Sequence, residues 1–205
     1  MKNFDVFNGD ADGICALAQL RHAEPREAEL ITGVKRDINL LQRVVPEQGS
    51  WVTVLDVSLD KNRSDLERVL SQGAEVFYCD HHFAGEIPDS DQLDTLINTA
   101  PDVCTSLLVN QRLQGAFREW AVVGTFGDNL KQSATTLARP LDLNEKGLGE
   151  LENLGIYINY NGYGSSLEDL HFTPENLYRL ISQYASPFDF MADGVAHFQQ
   201  LETGY

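Results

Sequence analysis

Five aspartates and two histidines in this sequence follow apolar runs, where they could meet at one metal site. They are Asp10 and Asp12 in Asn8-Gly9-Asp10-Ala11-Asp12-Gly13, Asp56 after Trp51-Val52-Thr53-Val54-Leu55, Asp80-His81-His82 after Val76-Phe77-Tyr78-Cys79, and Asp128 after Gly124-Thr125-Phe126-Gly127. Carboxylate oxygens are hard ligands that suit Mg²⁺ or Mn²⁺, and an imidazole such as His81 moves the balance towards Mn²⁺. In a tight turn Asp10 and Asp12 can each face a different cation. Asp56 can bridge two cations ~3.5–4 Å apart, the spacing of two-metal hydrolases. Adjacent residues leaving a strand point to opposite sides. One histidine can therefore ligate metal while the other addresses substrate, with Asp80 orienting a ring through its second N–H. Asp128 ends an apolar helical run, where the helix dipole disfavours an anion, so a neighbouring cation would explain it.

Each feature also has a plainer reading. Asp10 or Asp12 can cap the helix that follows. Asp56 can be a solvated strand-end acid, and an isolated histidine pair can be a surface feature. Cys79 reads as a core thiol, and His22, His171 and His197 have no partner at a recognisable spacing. Lys35 and Arg36 could reach an anion but read as a solvated charge pair. Tyr157, Tyr160 and Tyr163 read as packing residues.

The elements that would position these groups alternate. Strands are expected over 4–7, 29–34, 51–55, 74–79 and 95–98. Helices are expected over 14–21, in a short piece over 38–45, from a cap at Ser58 or Asp60 to a stop at Gly73, and over 106–113 and 118–126. Short connections between alternating strands and helices imply an α/β fold, a parallel sheet flanked by helices. Ligands bind at the carboxyl edge of such a sheet. After about Asn129 the pattern becomes mainly helical (145–158, 174–184, 188–201), with a Gly/Ser-rich loop over 159–166. The chain thus divides into a core over 1–130 and a helical extension over 131–205, which either completes the domain or leads to a further lobe.

Composition narrows the partners. The net charge of −16 over 205 residues leaves no basic stripe of the kind that displaces counterions from long nucleic acid. Bound divalent cations can still invert the local potential for a small anionic substrate. No apolar run reaches the ~20 residues of a membrane helix, and no secretion signal is visible at Met1-Lys2-Asn3-Phe4-Asp5. Cys15, Cys79 and Cys104 are odd in number and form no CxxC, which reads as reduced thiols in a cytoplasmic protein. A second copy of the chain is admitted as a partner.

With these residues in order, the chain resembles a DHH-family phosphoesterase. Asn8-Gly9-Asp10-Ala11-Asp12-Gly13, Leu55-Asp56, Asp80-His81-His82 and Gly124-Thr125-Phe126-Gly127-Asp128 match four family motifs in order and separation, over roughly residues 4 to 129. The family includes RecJ-type exonucleases, short-oligonucleotide hydrolases, cyclic-dinucleotide phosphodiesterases and family II pyrophosphatases. The resemblance implies two Mn²⁺ ions, Mg²⁺ being the substitute. Asp10 and Asp12 would hold different ions and Asp56 would bridge them. His81 and Asp128 would complete the second ion's shell, and His82 would contact phosphate. The implied activity is hydrolysis of a small nucleotide or short oligonucleotide, with His82 and Asp80 at the reacting group and His82 and Asn8 on the substrate.

Two departures stand out. Many members carry a histidine four residues before the first motif aspartate, where this chain has Val6. That ligand is missing, or is supplied by Asn8 or water. No counterpart of the family's second, DHHA1 lobe is evident either, and Gly162-Tyr163-Gly164-Ser165-Ser166 is a poor substitute for its glycine-rich loop. A haloacid-dehalogenase-type phosphatase would explain Asp10-Ala-Asp12, and a phospho-acceptor receiver domain would explain Asp56. Neither uses Asp80-His81-His82. A DHH-fold metal- or nucleotide-binding module with weak or no turnover is the non-enzymatic alternative.

Overall fold

A computed structural model describes residues 2–205. Strands β1 (Asn3–Phe7), β2 (Glu29–Ile31), β3 (Trp51–Leu55), β4 (Glu75–Asp80) and β5 (Leu93–Ile97) form one sheet in the order β2-β1-β3-β4-β5, with every pairing parallel. The order reverses between β1 and β3, which makes a crevice at their carboxyl ends. Phe7 pairs with Leu55 and Leu55 with Cys79. The next residue of each strand, Asn8, Asp56 and Asp80, therefore lies at one level on that edge.

Side chains alternate across the strands and separate two apolar layers. Phe4, Val6, Val52, Val54, Val76 and Tyr78 pack towards α2 (Leu59–Ser71). Phe7, Leu55, Phe77 and Cys79 pack towards α1 (Ala11–Ala23), α3 (Thr105–Arg112) and α4 (Arg118–Gly127). The same layer takes in Ala134 from α5 (Lys131–Ala138), Leu154 and Ile158 from α6 (Glu145–Asn161), and Leu177 and Ile181 from α7 (Pro174–Ile181). Phe190 of α8 (Pro187–Asp193) and Leu201 of α9 (Val195–Gly204) close it. The helical segment after residue 130 thus shares one apolar core with the sheet.

Helix α1 is buried from Ala11 to Arg21. Its Ala, Ile, Leu and Cys side chains cover every face, as expected of a helix enclosed by others. Glycines let those neighbours approach: a Cβ on Gly127 would lie 2.3 Å from Ala11 Cβ, and one on Gly155 2.3 Å from the Val123 carbonyl. At its polar end Arg21 Nε donates to Asp5 Oδ2 at 2.8 Å, and its Nη2 donates to Thr53 Oγ1 at 2.8 Å. Both ions of that pair are buried, so each depends on the other.

Several expectations are corrected. α1 starts one turn earlier than Ile14, because Asp10 caps it. β2 stops at Ile31 rather than reaching Val34. The apolar residues of 38–45 form only a 3-10 turn, Leu41–Arg43. Its backbone is satisfied from α2: Arg68 donates to the carbonyls of Leu41 and Val44, and Asn62 donates to that of Ile38. Helix α5 is additional to the expected elements, and α6 runs to Asn161, into the segment expected as loop. Among the described residues no helix is long and apolar enough to cross a membrane.

Candidate metal centre

The carboxyl edge of β1, β3 and β4 gathers every candidate residue. Asp10 is the N-cap of α1, its Oδ1 accepting from the amides of Asp12 and Gly13 at 3.0 and 3.1 Å. The capping interpretation therefore holds for Asp10, whereas Asp12 turns inward. Its Oδ2 accepts from Thr105 N at 2.8 Å and its Oδ1 from Ser106 N at 2.6 Å. Those are free amides of the first turn of α3, where the helix dipole favours an anion.

Asp56 follows β3 with a left-handed backbone, φ 59. Aspartate and asparagine tolerate that region better than most residues, and backbone strain of this kind gathers at functional sites. Its carboxylate is buried, and Thr105 Oγ1 donates to its Oδ1 at 3.3 Å. Asp128 is the C-cap of α4, beyond Gly124, where a Cβ would stand 2.2 Å from Ser106 Oγ.

The two histidines have different partners, and they do not point to opposite sides. The chain leaves β4 at Asp80 and bends, bringing the ring centroids within 4.4 Å of each other. His81 Nε2 faces Asp56 Oδ1 at 3.4 Å, Asp128 Oδ2 at 3.8 Å and Asp12 Oδ2 at 3.9 Å. His82 Nδ1 pairs with Asp80 Oδ1 at 2.7 Å and lies 3.9 Å from Asp56 Oδ1. Both rings line a depression of about 550 Å³, along with Asn8, Asp10, Lys35 and Asp128. A larger depression of about 790 Å³ opens beside α3 and α5, but its only charged lining residues are Asp102 and Lys131.

The electrostatics follow from crowding. Burial, then Asp10, Asp12, Asp80 and Asp128, drive the Asp56 carboxyl well above the ordinary range. Burial, then Asp12 and Asp10, push Asp128 up to about 7. Burial would also raise Asp10, but the Lys35 ammonium and the Gly13 amide outweigh it and hold Asp10 below the usual value. The hydrogen bond to Asp80 raises His82, against the effect of its burial.

This donor set fits a divalent cation. Asp12, His81 and Asp128 form one group, and Asp56, His81 and His82 another, with the ligand atoms of each within 4.8 Å of one another. Carboxylates forced together without compensating charge are what a cation would relieve. Two buried oxygens at this edge, Asn8 Oδ1 and Asp80 Oδ2, have no hydrogen-bond partner among the described residues.

Sequence reading missed several contributors. Lys35, expected to be solvated, places Nζ 2.7 Å from Asp10 Oδ2 and 2.8 Å from Asn159 Oδ1, and 5.3 Å from the centre of the Tyr163 ring. Its amide donates to the Gly162 carbonyl at 2.9 Å. Thr105 and Ser106 complete the set through Asp12 and Asp56. The only local signal for that pair was a polar Thr-Ser step opening an apolar helix. The pairing of Lys35 with Asn159 carried none, the two being 124 residues apart.

No protein-family model and no curated protein matches the chain. Among solved structures it is similar to exonuclease RecJ bound to manganese, with 19% identity and a TM-score of 0.58 over 99% of this chain and 61% of that one. It is also similar to the DHH domain of a member of a family of ribosomal proteins, with 13% identity and a TM-score of 0.60 over 98% of this chain and 56% of that one. The chain therefore spans about three fifths of the length of these structures. Sheet order and these likenesses converge on one fold: the chain shares the parallel α/β fold of that DHH domain and of the RecJ structure.

Proposed function

We propose that this protein is a divalent-metal-dependent hydrolase of phosphoesters, acting on a small nucleotide or a short oligonucleotide. The observation that carries this reading is His81 Nε2 facing carboxylates from α1, β3 and α4 at 3.4–3.9 Å. The manganese in the structure of the similar RecJ exonuclease supports Mn²⁺ as the ion.

Asp12, Asp56, His81 and Asp128 would hold the metal. A divalent ion there would supply Lewis acidity towards phosphoryl oxygens and water. The chain's own groups do the rest. The amides of Thr105 and Ser106 fix both oxygens of Asp12, and Thr105 Oγ1 fixes Asp56. Asp80 holds His82 Nδ1 and favours the imidazolium, leaving Nε2 to donate to a phosphate oxygen. The chain's acidity and the size of the depression favour a small substrate over long nucleic acid.

The test is a calorimetric Mn²⁺ titration followed by a phosphoester screen, on wild type and Asp56→Ala. Mn²⁺ binding and hydrolysis in wild type, both lost in the variant, are expected. An unchanged titration in the variant would remove Asp56 from the site. The second reading, a metal-binding module with little turnover, is favoured by buried, apolar Val6 where many members of the resembled family have a histidine. Mn²⁺ binding without hydrolysis of any phosphoester would select it.

A further inference from the structure

We infer that the Lys35 ammonium is the resident cation on the Asp10 side of the site, so the centre takes a single divalent ion where the family pattern calls for two. This rests on reading the site as a metal centre, and it assigns how that centre is filled.

The geometry divides the acidic edge in two. On one side, His81 faces Asp12, Asp56 and Asp128. On the other, Asp10 Oδ1 caps α1 through the amides of Asp12 and Gly13, and its Oδ2 already meets a cation, Lys35 Nζ at 2.7 Å, whereas both Asp12 oxygens accept only from neutral amides. Asp10 belongs to neither group of clustered donor atoms. An ion on its side would have to displace the ammonium, and it would find no imidazole in place of Val6, which is fully buried in the apolar layer beside Val54 and Tyr78.

Lys35 is built into this position. Nζ is shared between Asp10 and Asn159, and the amide donates to Gly162. The Lys35 carbonyl accepts from Asn8 Nδ2 at 3.3 Å, and Tyr163 presents its ring to the ammonium. The side chain is 24% exposed. An ammonium is a compact point charge with three donors. It offsets part of the negative charge at the edge and repels a second cation placed beside it.

The experiment is Mn²⁺ stoichiometry by calorimetry, with electron paramagnetic resonance of the bound ions, on wild type, Lys35→Arg and Lys35→Met. One ion with an uncoupled spectrum is expected for wild type and Lys35→Arg. In Lys35→Met a second, weaker ion and a spin-coupled spectrum are expected. Two ions or a coupled spectrum in wild type overturns the inference while leaving the hydrolase reading in place, and needs no variant to fold. A Lys35→Met protein with the unfolding midpoint of wild type that still takes one ion also overturns it. No ion in wild type removes both readings.

Discussion

Asp80 gives one carboxylate oxygen to His82 Nδ1 at 2.7 Å, and the other is buried with no hydrogen-bond partner among the described residues, so the ring contact is the carboxylate's one directional interaction there. His82 is consequently the group whose loss should separate binding from catalysis. His82→Ala is expected to leave Mn²⁺ affinity nearly unchanged and to lower kcat/KM by about 10²-fold or more, as loss of a positioned donor does. Loss of metal in that variant would reverse the roles of the two histidines. His22 illustrates the opposite case. Its Nε2 bonds the Tyr184 carbonyl at 2.9 Å and its ring stacks on Phe117, and burial lowers its pKa below 6.5. A depressed folded-state value means stability present above the unfolded pKa and lost as pH falls through the folded one. His22→Gln is expected to flatten the pH dependence of urea unfolding between about pH 7 and 5; an unaltered slope would show that His22 does not contribute to it.

At the scale of elements, the site depends on helices meeting through glycine. A Cβ at position 155 would stand 2.3 Å from the Val123 carbonyl and 2.9 Å from Gly127 N, both backbone atoms of α4 that cannot swing aside. Gly155→Ala is expected to cost about 1–3 kcal/mol in denaturant unfolding and to weaken Mn²⁺ binding, because α4 delivers Asp128. A stability loss with intact metal affinity would mean that α6 shifts instead of α4. Strand ends and their acids were legible because apolar runs broken by Asp are local signals. The 38–45 segment misled because Arg68 and Asn62 satisfy its backbone from another helix, which no local pattern announces. Lys35 was misjudged for the same reason: its partners Asn159, Gly162 and Tyr163 come from the far end of the chain.

For the whole molecule, the sheet order places the crevice at the β1/β3 reversal, and the helices after residue 130 close one side of it through Gly162, where a Cβ would stand 3.1 Å from the Gly9 carbonyl. The role of that segment was open in the sequence because apolar periodicity shows that a helix is amphipathic, not what it packs against. Helix α1 lies at the centre, and its enclosure on every face bears on motion. A helix with no solvent-facing side has no inexpensive local opening, so its amides can exchange with solvent only when the molecule unfolds as a whole. Native-state hydrogen exchange should place Ile14 to Leu20 at the global unfolding free energy. Phe83, 73% exposed on the rim of the depression, and the surface turn at Leu167–Asp169 should exchange well below it. Sub-global exchange within α1 would contradict this. The turn bearing Asp10 and Asp12 is then a rigid floor, and any change in the shape of the depression falls to the rim.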